Sequence, residues 1–427
     1  MLDGTTYYRA TATPGIAYPP LDGAHDASVA VVGAGFAGLA TALGLAERGV
    51  AGVVLLEAEE TGHGASGRNG GFVFGGYSLG EDALVRELGA ERARRVYKRT
   101  VSAVELVRRR IARYAIACDP VDEGIIWANW FRDDRVLRER QVLLREHYGV
   151  EWEWIPRERM RELVPTTRYD AGLWERNALH VHPLNYALGV SRAAAEQGIR
   201  IHERSRATGL ARDGAGWRIT TPGGSIRAKK VVLACGGYLA GLDSRFDRAI
   251  LPIATYAMAT EPLGDRIREI FAGTRAAVYD TRFAFDYYRP LPDTRLLWGG
   301  RISILERSPA AVARLLKRDV ARVFPSFADV RIDYAWSGFM GYPRQKMPQL
   351  REVEPGLWSA QGFGGHGFAT TTAGGEIVAA AIAEGDRAFE DYARYDLVST
   401  FKPLGMLGAQ LEYWRFELLD ALRDRTS

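Results

Sequence analysis

A glycine triplet near the start of the chain sets the tightest constraint on its fold. Gly33-Ala-Gly35-Phe-Ala-Gly38 follows the apolar run Val29-Ala-Val-Val32 and opens a helical stretch from about Ala37 to Arg48. A second apolar run, Val53-Val-Leu-Leu56, ends in Glu57, 19 residues beyond Gly38. Strand, glycine turn, helix, strand and acidic end together predict a dinucleotide-binding unit. Gly33 permits the tight turn, Gly35 lets a pyrophosphate approach the backbone, and Gly38 lets the helix pack against the strand. Phe36 and Ala37 stand at the helix N-terminus, where free N–H groups favour phosphate. Glu57, followed by Ala58, offers an acceptor to ribose hydroxyls and opposes a 2′-phosphate. Residues 29–46 carry no charge over 18 positions. Their four glycines and few large side chains fit the turned strand–helix better than a membrane span.

Further glycine clusters bear on which dinucleotide is bound. The chain holds 47 glycines in 427 residues, above the usual ~7%. Beyond the triplet they gather at 62–71, 235–237 and 362–367. No second GxGxxG set in a strand–helix–strand unit with an acidic end occurs later, as an enzyme using both FAD and NAD(P)H would commonly carry. One nucleotide site plus remote glycine loops suggests a ligand long enough to touch several segments, which favours FAD over NAD.

Composition narrows the class. A net charge of +4 is too balanced to argue for a nucleic-acid partner. Two cysteines, Cys118 and Cys235, allow no zinc or redox CxxC motif and fit a reducing, cytoplasmic setting. The N-terminus lacks the basic and apolar regions of a secretory signal. His180 and His182 form an HxH pair, but no third ligand has suitable spacing, so no metal is expected.

Along the chain, residues 1–27 read as an irregular arm. Residues 82–115 read as one or two helices with an apolar stripe from Tyr97 to Tyr114. A helix over Leu184–Glu196 follows Pro183. From about Leu251 to Trp336 the pattern is β-rich: Phe283, Phe285 and Tyr287 alternate with Ala284, Asp286 and Tyr288, and a turn at 290–294 returns the chain as a hairpin. A last helix is expected from about Ala373 to Ala383.

Several segments carry a family resemblance. Ala65-Ser-Gly-Arg-Asn-Gly-Gly71, His180-Val-His-Pro183, Ala234-Cys-Gly-Gly237 and Gln361-Gly-Phe-Gly-Gly-His-Gly367 occur in the order seen in the D-amino-acid-oxidase-like (glycine/sarcosine oxidase) flavoproteins. Tyr7-Tyr8, Ile111–Tyr114, Asp286–Arg289, Arg295–Gly300, Arg331–Gly338 and the helical segment 405–422 extend the likeness toward the bacterial branch that oxidises γ-glutamylputrescine. The resemblance implies an α/β fold: a discontinuous Rossmann-like FAD-binding domain (28–82, 180–238, 337–385) and a mostly antiparallel-sheet substrate domain of α+β type (83–179, 239–336). An arm (1–27) and a helical extension (386–427) complete it.

It also implies a site. Ser66, Gly67, Arg68, Asn69, Gly70 and Gly71 would line the phosphate-to-flavin side of the cofactor. Cys235 and Gly236 would pack near it, Cys235 as a small residue and not a nucleophile. Gly362, Phe363, Gly364, Gly365, His366 and Gly367 would meet the isoalloxazine, their N–H groups facing the charge of the reduced ring, with Thr370–Thr372 as N-cap types. Tyr287, Arg289, Trp298 and Met340 would wall the substrate side, and His366, Lys346 and Tyr288 would be the catalytic candidates. For the aromatic residues a core role weighs equally. The segment 341–348 lacks the cysteine to which sarcosine oxidases attach flavin, so FAD would be held non-covalently.

Two departures narrow the substrate. An arginine that grips the substrate carboxylate in glycine oxidase-like members is Met340 here, and a lysine with that role in sarcosine oxidases is Ala369. A bare α-carboxylate without a cation would be costly, so an amine of the γ-glutamylputrescine kind is favoured, unless Arg289 or Lys346 replaces the missing charge. The reaction would oxidise a C–N bond to an imine that hydrolyses to the aldehyde, with oxygen or another acceptor taking the electrons. Oxidation of an N-substituted or cyclic amino acid, flavin binding without turnover, and a nicotinamide-dependent reductase are the alternatives. The residues fix neither the acceptor nor the oligomeric state.

Overall fold

Val29–Val32 are buried because parallel strands flank them on both sides. In the computed structural model, which describes residue 2 and residues 4–239 and 241–426, the first sheet runs Gln349–Glu354, Leu357–Gln361, Gly224–Leu233, Gly23–Val32, Val53–Leu56, Arg200–His202. All are parallel neighbours except Gln349–Glu354, and the hairpin Gly209–Asp213/Gly216–Thr220 joins Gly224–Leu233 antiparallel. Met1 and Asp3 of the arm, Ala240 and Ser427 lie outside the described residues.

Phe36–Glu47 and Gly367–Glu384 cover one face of this sheet and pack on each other. A Cβ on Gly375 would lie 2.6 Å from the Cβ of Ala40, so the helices touch backbone to backbone. Ala90–Arg113 packs alongside Gly367–Glu384. Its buried Arg110 pairs with Glu47 at 2.7 Å and with Glu376, one residue from each of the other two helices. A buried cation with two carboxylates is compensated and ties three elements together.

The second sheet runs Ile332–Tyr342, Leu251–Thr260, Leu296–Ser303, Asp286–Pro290, Ala277–Asp280, Ile125–Ala128, Gly172–Glu175, Glu153–Ile155. It is antiparallel apart from the pair Ala277–Asp280/Ile125–Ala128. Side chains alternate between its faces. Tyr256, Met258, Tyr288 and Trp298 pack in a core with helix Pro309–Val323, and Tyr279 and Tyr287 point the other way, into a cavity between the two sheets.

Several boundaries differ from expectation. The first strand begins at Gly23, inside the arm, and the arm also holds the helix Tyr7–Ala10 with both tyrosines buried. Residues 337–342 continue a strand of the second sheet. Helix Ala90–Arg113 lies with the nucleotide-side helices, since its apolar stripe meets Gly367–Glu384. Pro309–Val323, inside the stretch read as β-rich, is helical, with Ser308 Oγ capping Ala311 N–H. The C-terminal helix spans Leu404–Thr426 and crosses the cavity mouth. Gln410 accepts from Ser303 Oγ at 3.0 Å, and Asp420 accepts from Ala284 N–H at 3.2 Å.

Candidate functional site

The glycine triplet behaves as its spacing predicts. Gly33 has φ +105° and stands against the carbonyl oxygen of Ala234, where a Cβ would come within 2.9 Å. A Cβ on Gly38 would overlap the carbonyl oxygen of Gly33, so only glycine lets this helix sit so close to its strand. Glu57 Oε2 accepts from Ala34 N–H at 2.7 Å and Oε1 from Glu59 N–H at 3.0 Å. Burial pushes its carboxyl up while these N–H groups pull it down. Phe36 N–H is taken by Ser66 Oγ at 2.8 Å, so of the two N-terminal residues singled out above, the Phe36 amide is already occupied.

From this corner a cavity of about 1020 Å³ runs between the sheets. Gly33, Gly35, Phe36, Ala37, Glu57 and Ala58 line one end, together with Cys235 and Gly236. Ser66, Arg68, Asn69 and Gly70 line its middle. Met340, Lys346 and the loop Gly362–Gly367 line the other end, with Tyr287 beside them. Segments hundreds of residues apart in sequence thus border one elongated groove.

The loop 65–71 is clasped by its own side chains. Asn69 Nδ2 donates to the carbonyl oxygens of Ala65 and Ser66 at 3.0 and 2.8 Å, and Gly71 N–H returns to Asn69 Oδ1 at 2.8 Å. Arg68 donates to His63 and Ser337 carbonyls, while its own carbonyl accepts from Trp336 Nε1 at 2.9 Å. Gly38, Gly67 and Gly71 do not line the cavity: they serve close backbone packing, Gly67 against Gly62 and Gly71 against Val181.

Cys235 donates its thiol to Val32 O at 3.3 Å, and burial pushes the thiol up to about 12. It is an inert packed residue. Near the other end, Gly364 N–H goes to Gly341 O, and Gly365 and His366 N–H both face Ser78 Oγ, at 2.9 and 3.4 Å. The expected field from these amides is therefore spent inside the protein. The start of helix Gly367–Glu384, where Gly367 and Phe368 reach the cavity, is left to supply it. Thr370, Thr371 and Thr372 are not caps. They lie inside the helix and donate back to the carbonyls of residues 366–368. His366 is half-buried, and desolvation pushes its imidazole down to about 4, so it is neutral at neutral pH.

Three expected substrate-side residues stand elsewhere. Tyr288 and Trp298 stack at 4.4 Å with a 5° interplanar angle, fully buried on the far face of the second sheet. Strand alternation sends Tyr287 to the cavity and Tyr288 away from it. Arg289 shares the face of Tyr287 but is buried short of the cavity. It donates to Gly70 O, Val181 O and Tyr8 Oη, and meets His180 Nδ1 at 3.3 Å. His180 Nε2 donates to Arg275 O at 2.8 Å, and His182 Nδ1 accepts from Asn185 N–H at 3.1 Å. Both histidines are bound up in local structure.

Lys346 is exposed at the cavity edge on a turn closed by Lys346 N–H to Pro343 O, and no carboxylate among the described residues pairs with it. Met340 Sδ stands beside Gly365, 3.8 Å from where a Cβ would be. Sequence reading passed over an aromatic wall. Phe74 lies 5.0 Å from His366 and 5.7 Å from Tyr279, and Tyr279 lies 6.3 Å from Trp127 and 5.9 Å from Phe285. It also passed over Glu81 and Arg140 on the same wall and Tyr413 and Phe416 from the last helix. Of these only Phe285 carried a signal, the alternation at 283–287.

Comparison with known proteins agrees with this arrangement. Residues 28–381 match the family described as FAD dependent oxidoreductase (DAO). The chain is 31% identical over 396 residues to gamma-glutamylputrescine oxidoreductase of Escherichia coli, covering 91% of each chain. It is 30% identical to a probable oxidoreductase of Haemophilus influenzae, covering 89% of this chain and 88% of that one. Among solved structures, glycine oxidase from Geobacillus kaustophilus superposes with TM-score 0.72 at 21% identity, covering 88% of this chain and 99% of that one. No helix among the described residues is long and apolar enough to cross a membrane. The groove, the glycine triplet with Glu57 and the family match agree: the chain belongs to the DAO family of FAD-dependent oxidoreductases.

Proposed function

We propose that this flavoenzyme oxidises a C–N bond of an amine that carries no carboxylate at the reacting carbon, with γ-glutamylputrescine as the leading candidate. The observation that carries the proposal is the makeup of the wall beside Gly365. Met340 stands there, Ala369 is buried in its helix, and Arg289 is consumed by backbone carbonyls. A substrate carboxylate at that point would be desolvated without a counter-charge. The 31% identity to an enzyme named for γ-glutamylputrescine supports the same direction.

Bound FAD supplies the hydride acceptor, held non-covalently, since the segment 341–348 has no cysteine and Cys235 is packed with its thiol protonated. The chain does the positioning. Tyr279, Phe285 and Tyr287 present aromatic surface from the second sheet, and Phe74 and His366 face them. The aromatic surface around the reacting end lowers the pKa of an entering ammonium by desolvation and so favours the neutral amine that hydride loss requires. Neutral His366 adds no charge that would oppose the positive charge growing on that nitrogen. The first turn of helix Gly367–Glu384 offers partial positive charge to the reduced cofactor. The resulting imine hydrolyses to aldehyde and the smaller amine or ammonia.

Lys346 favours a second reading, oxidation of an N-substituted or cyclic amino acid whose carboxylate that ammonium would take. Anaerobic addition of polyamines, γ-glutamylated polyamines, N-methyl amino acids and proline to the holoenzyme separates the two. Bleaching of the flavin by the amines and not by the amino acids is expected, and the reverse order would reject the proposal. Peroxide release in air then shows whether oxygen is the acceptor.

A further inference from the structure

Beyond His366 the cavity wall carries a buried ion pair that the oxidation chemistry does not use. Arg140 Nη2 donates to Glu81 Oε1 at 2.8 Å, and the two side chains are 16% and 10% exposed. The Arg140 guanidinium lies 4.4 Å from the ring of Trp127 and 4.6 Å from that of Trp152. Arg140 Nε and Tyr279 Oη are buried with no hydrogen-bond partner in the protein, and so are Tyr97 Oη and Glu175 Oε2 just behind them. Tyr279 Oη approaches Arg140 closely enough to feel its charge and to be a loose partner, short of good hydrogen-bond geometry. Poorly satisfied buried polar atoms are costly and rare, and Arg140 and Tyr279 bring two of them to the cavity wall, where a polar ligand group could meet them.

The charges say what. A lone carboxylate entering this recess would face Glu81, and a lone ammonium would face Arg140. Only a group carrying both charges can trade the internal pair for one contact to each side without leaving a buried charge uncompensated. The guanidinium suits a carboxylate. Glu81, with the faces of Trp127, Tyr279 and Phe74, suits an ammonium. Burial pushes Glu175 up to about 8, so it adds no second negative charge at neutral pH. Phe74 touches both His366 and Tyr279, so an aliphatic chain can lie on the aromatic surface that leads from the recess into the rest of the cavity.

We infer that the Glu81–Arg140 recess, with Tyr279, receives the zwitterionic α-amino-acid head of the substrate, remote from the carbon that is oxidised. This rests on the amine-oxidase reading above and assigns its specificity.

The test compares γ-glutamylputrescine with three analogues of equal reach on the holoenzyme: one keeping only the α-carboxylate, one keeping only the α-ammonium, and the uncharged acyl-putrescine. The expected kcat/KM for the zwitterion exceeds each analogue by about thirtyfold, the worth of a buried charged hydrogen bond. In Arg140→Gln and Glu81→Gln the ratio of zwitterion to uncharged analogue collapses toward one. Tyr279→Phe, which removes only a hydroxyl, lowers that ratio about fivefold and keeps the test open if Arg140→Gln does not fold. Equal use of all four amines, or a ratio that survives the substitutions, overturns the inference and leaves the amine-oxidase reading standing. Preference for the ammonium-only analogue overturns it in favour of a diamine site. Failure of every amine to bleach the flavin removes the amine-oxidase reading itself, and the inference with it.

Discussion

Arg289 Nε donates to the carbonyl oxygen of Gly70 at 2.7 Å from a fully buried position, bridging the second sheet and the loop that borders the cofactor groove. No carboxylate among the described residues pairs with Arg289, and its remaining donors go to Val181 O, Tyr8 Oη and His180 Nδ1. Arg289→Met leaves at least two buried carbonyl oxygens without donors. Stability should fall by about 3 kcal/mol, read as a lower urea midpoint, and FAD retention should drop with it. Arg289→Lys should recover less than half, because one ammonium cannot span the positions held by a planar fork.

Gly35→Glu places a side chain beside Ser66 Oγ, 3.0 Å from where its Cβ would start, and a negative charge where a pyrophosphate would lie. Loss of the flavin absorption bands from purified protein is expected, with far-UV circular dichroism retained. A variant that keeps full flavin would contradict the assigned cofactor path.

Tyr288 and Trp298 provide a control for the cavity assignment. Tyr288 Oη makes no hydrogen bond of good geometry, only a loose approach to the Tyr169 hydroxyl, so Tyr288→Phe should change stability and kcat/KM little, within about twofold. Tyr288→Ala removes the ring stacked on Trp298 and should cost about 3–5 kcal/mol, with kcat of the surviving folded enzyme largely kept. A large kcat loss in Tyr288→Phe would place the residue at the reacting centre after all.

Two desolvated histidines set a direction for pH. His366 titrates near 4 in the folded chain because burial disfavours its charged form, against about 6.5 when unfolded. Below 6.5 the unfolded chain therefore binds the extra proton first, and folding is progressively penalised until pH 4, by up to about 3 kcal/mol for this residue. His182, also pushed down to about 4 by burial, acts in the same sense. Denaturant midpoints of the parent should fall from pH 7 to 4.5, and His366→Leu should flatten that slope. The activity profile should show no inflection from His366 above pH 6.

Met340→Arg supplies the cation that the wall beside Gly365 lacks. It should shift relative kcat/KM toward N-methyl amino acids by about tenfold, the worth of one charged hydrogen bond at the low end of its range. Steady-state peroxide release with paired substrates measures it.

Much of this was legible in the chain. The strand–turn–helix at 29–47 and the acidic end at Glu57 follow from local spacing and steric need, which the sequence carries directly. The hairpin through 290–294 followed from alternation, but the same alternation, which sends Tyr287 and Tyr288 to opposite faces, was not applied to the site, and both were expected there. Helix Pro309–Val323 was missed although Ser308-Pro309 is a good start signal, because the surrounding strands dominated the reading. Glu81 and Arg140 left no trace: 59 residues separate them, and only the tertiary fold brings them together. The role of Arg289 was misread for a related reason. A conspicuous arginine beside expected site residues looks like a ligand for substrate, but its partners are backbone carbonyls, which no sequence pattern advertises.

The strand order has a consequence for biogenesis. Gly23–Val32 sits next to Gly224–Leu233, which in turn borders Leu357–Gln361, and the helix lining the far end of the groove closes only at Glu384. A ribosome must therefore release about nine-tenths of the polypeptide before a complete receptacle for the coenzyme exists. Flavin loading therefore comes late in synthesis, after nearly the whole chain has emerged, and the receptacle is assembled from segments made at the chain's beginning, middle and end.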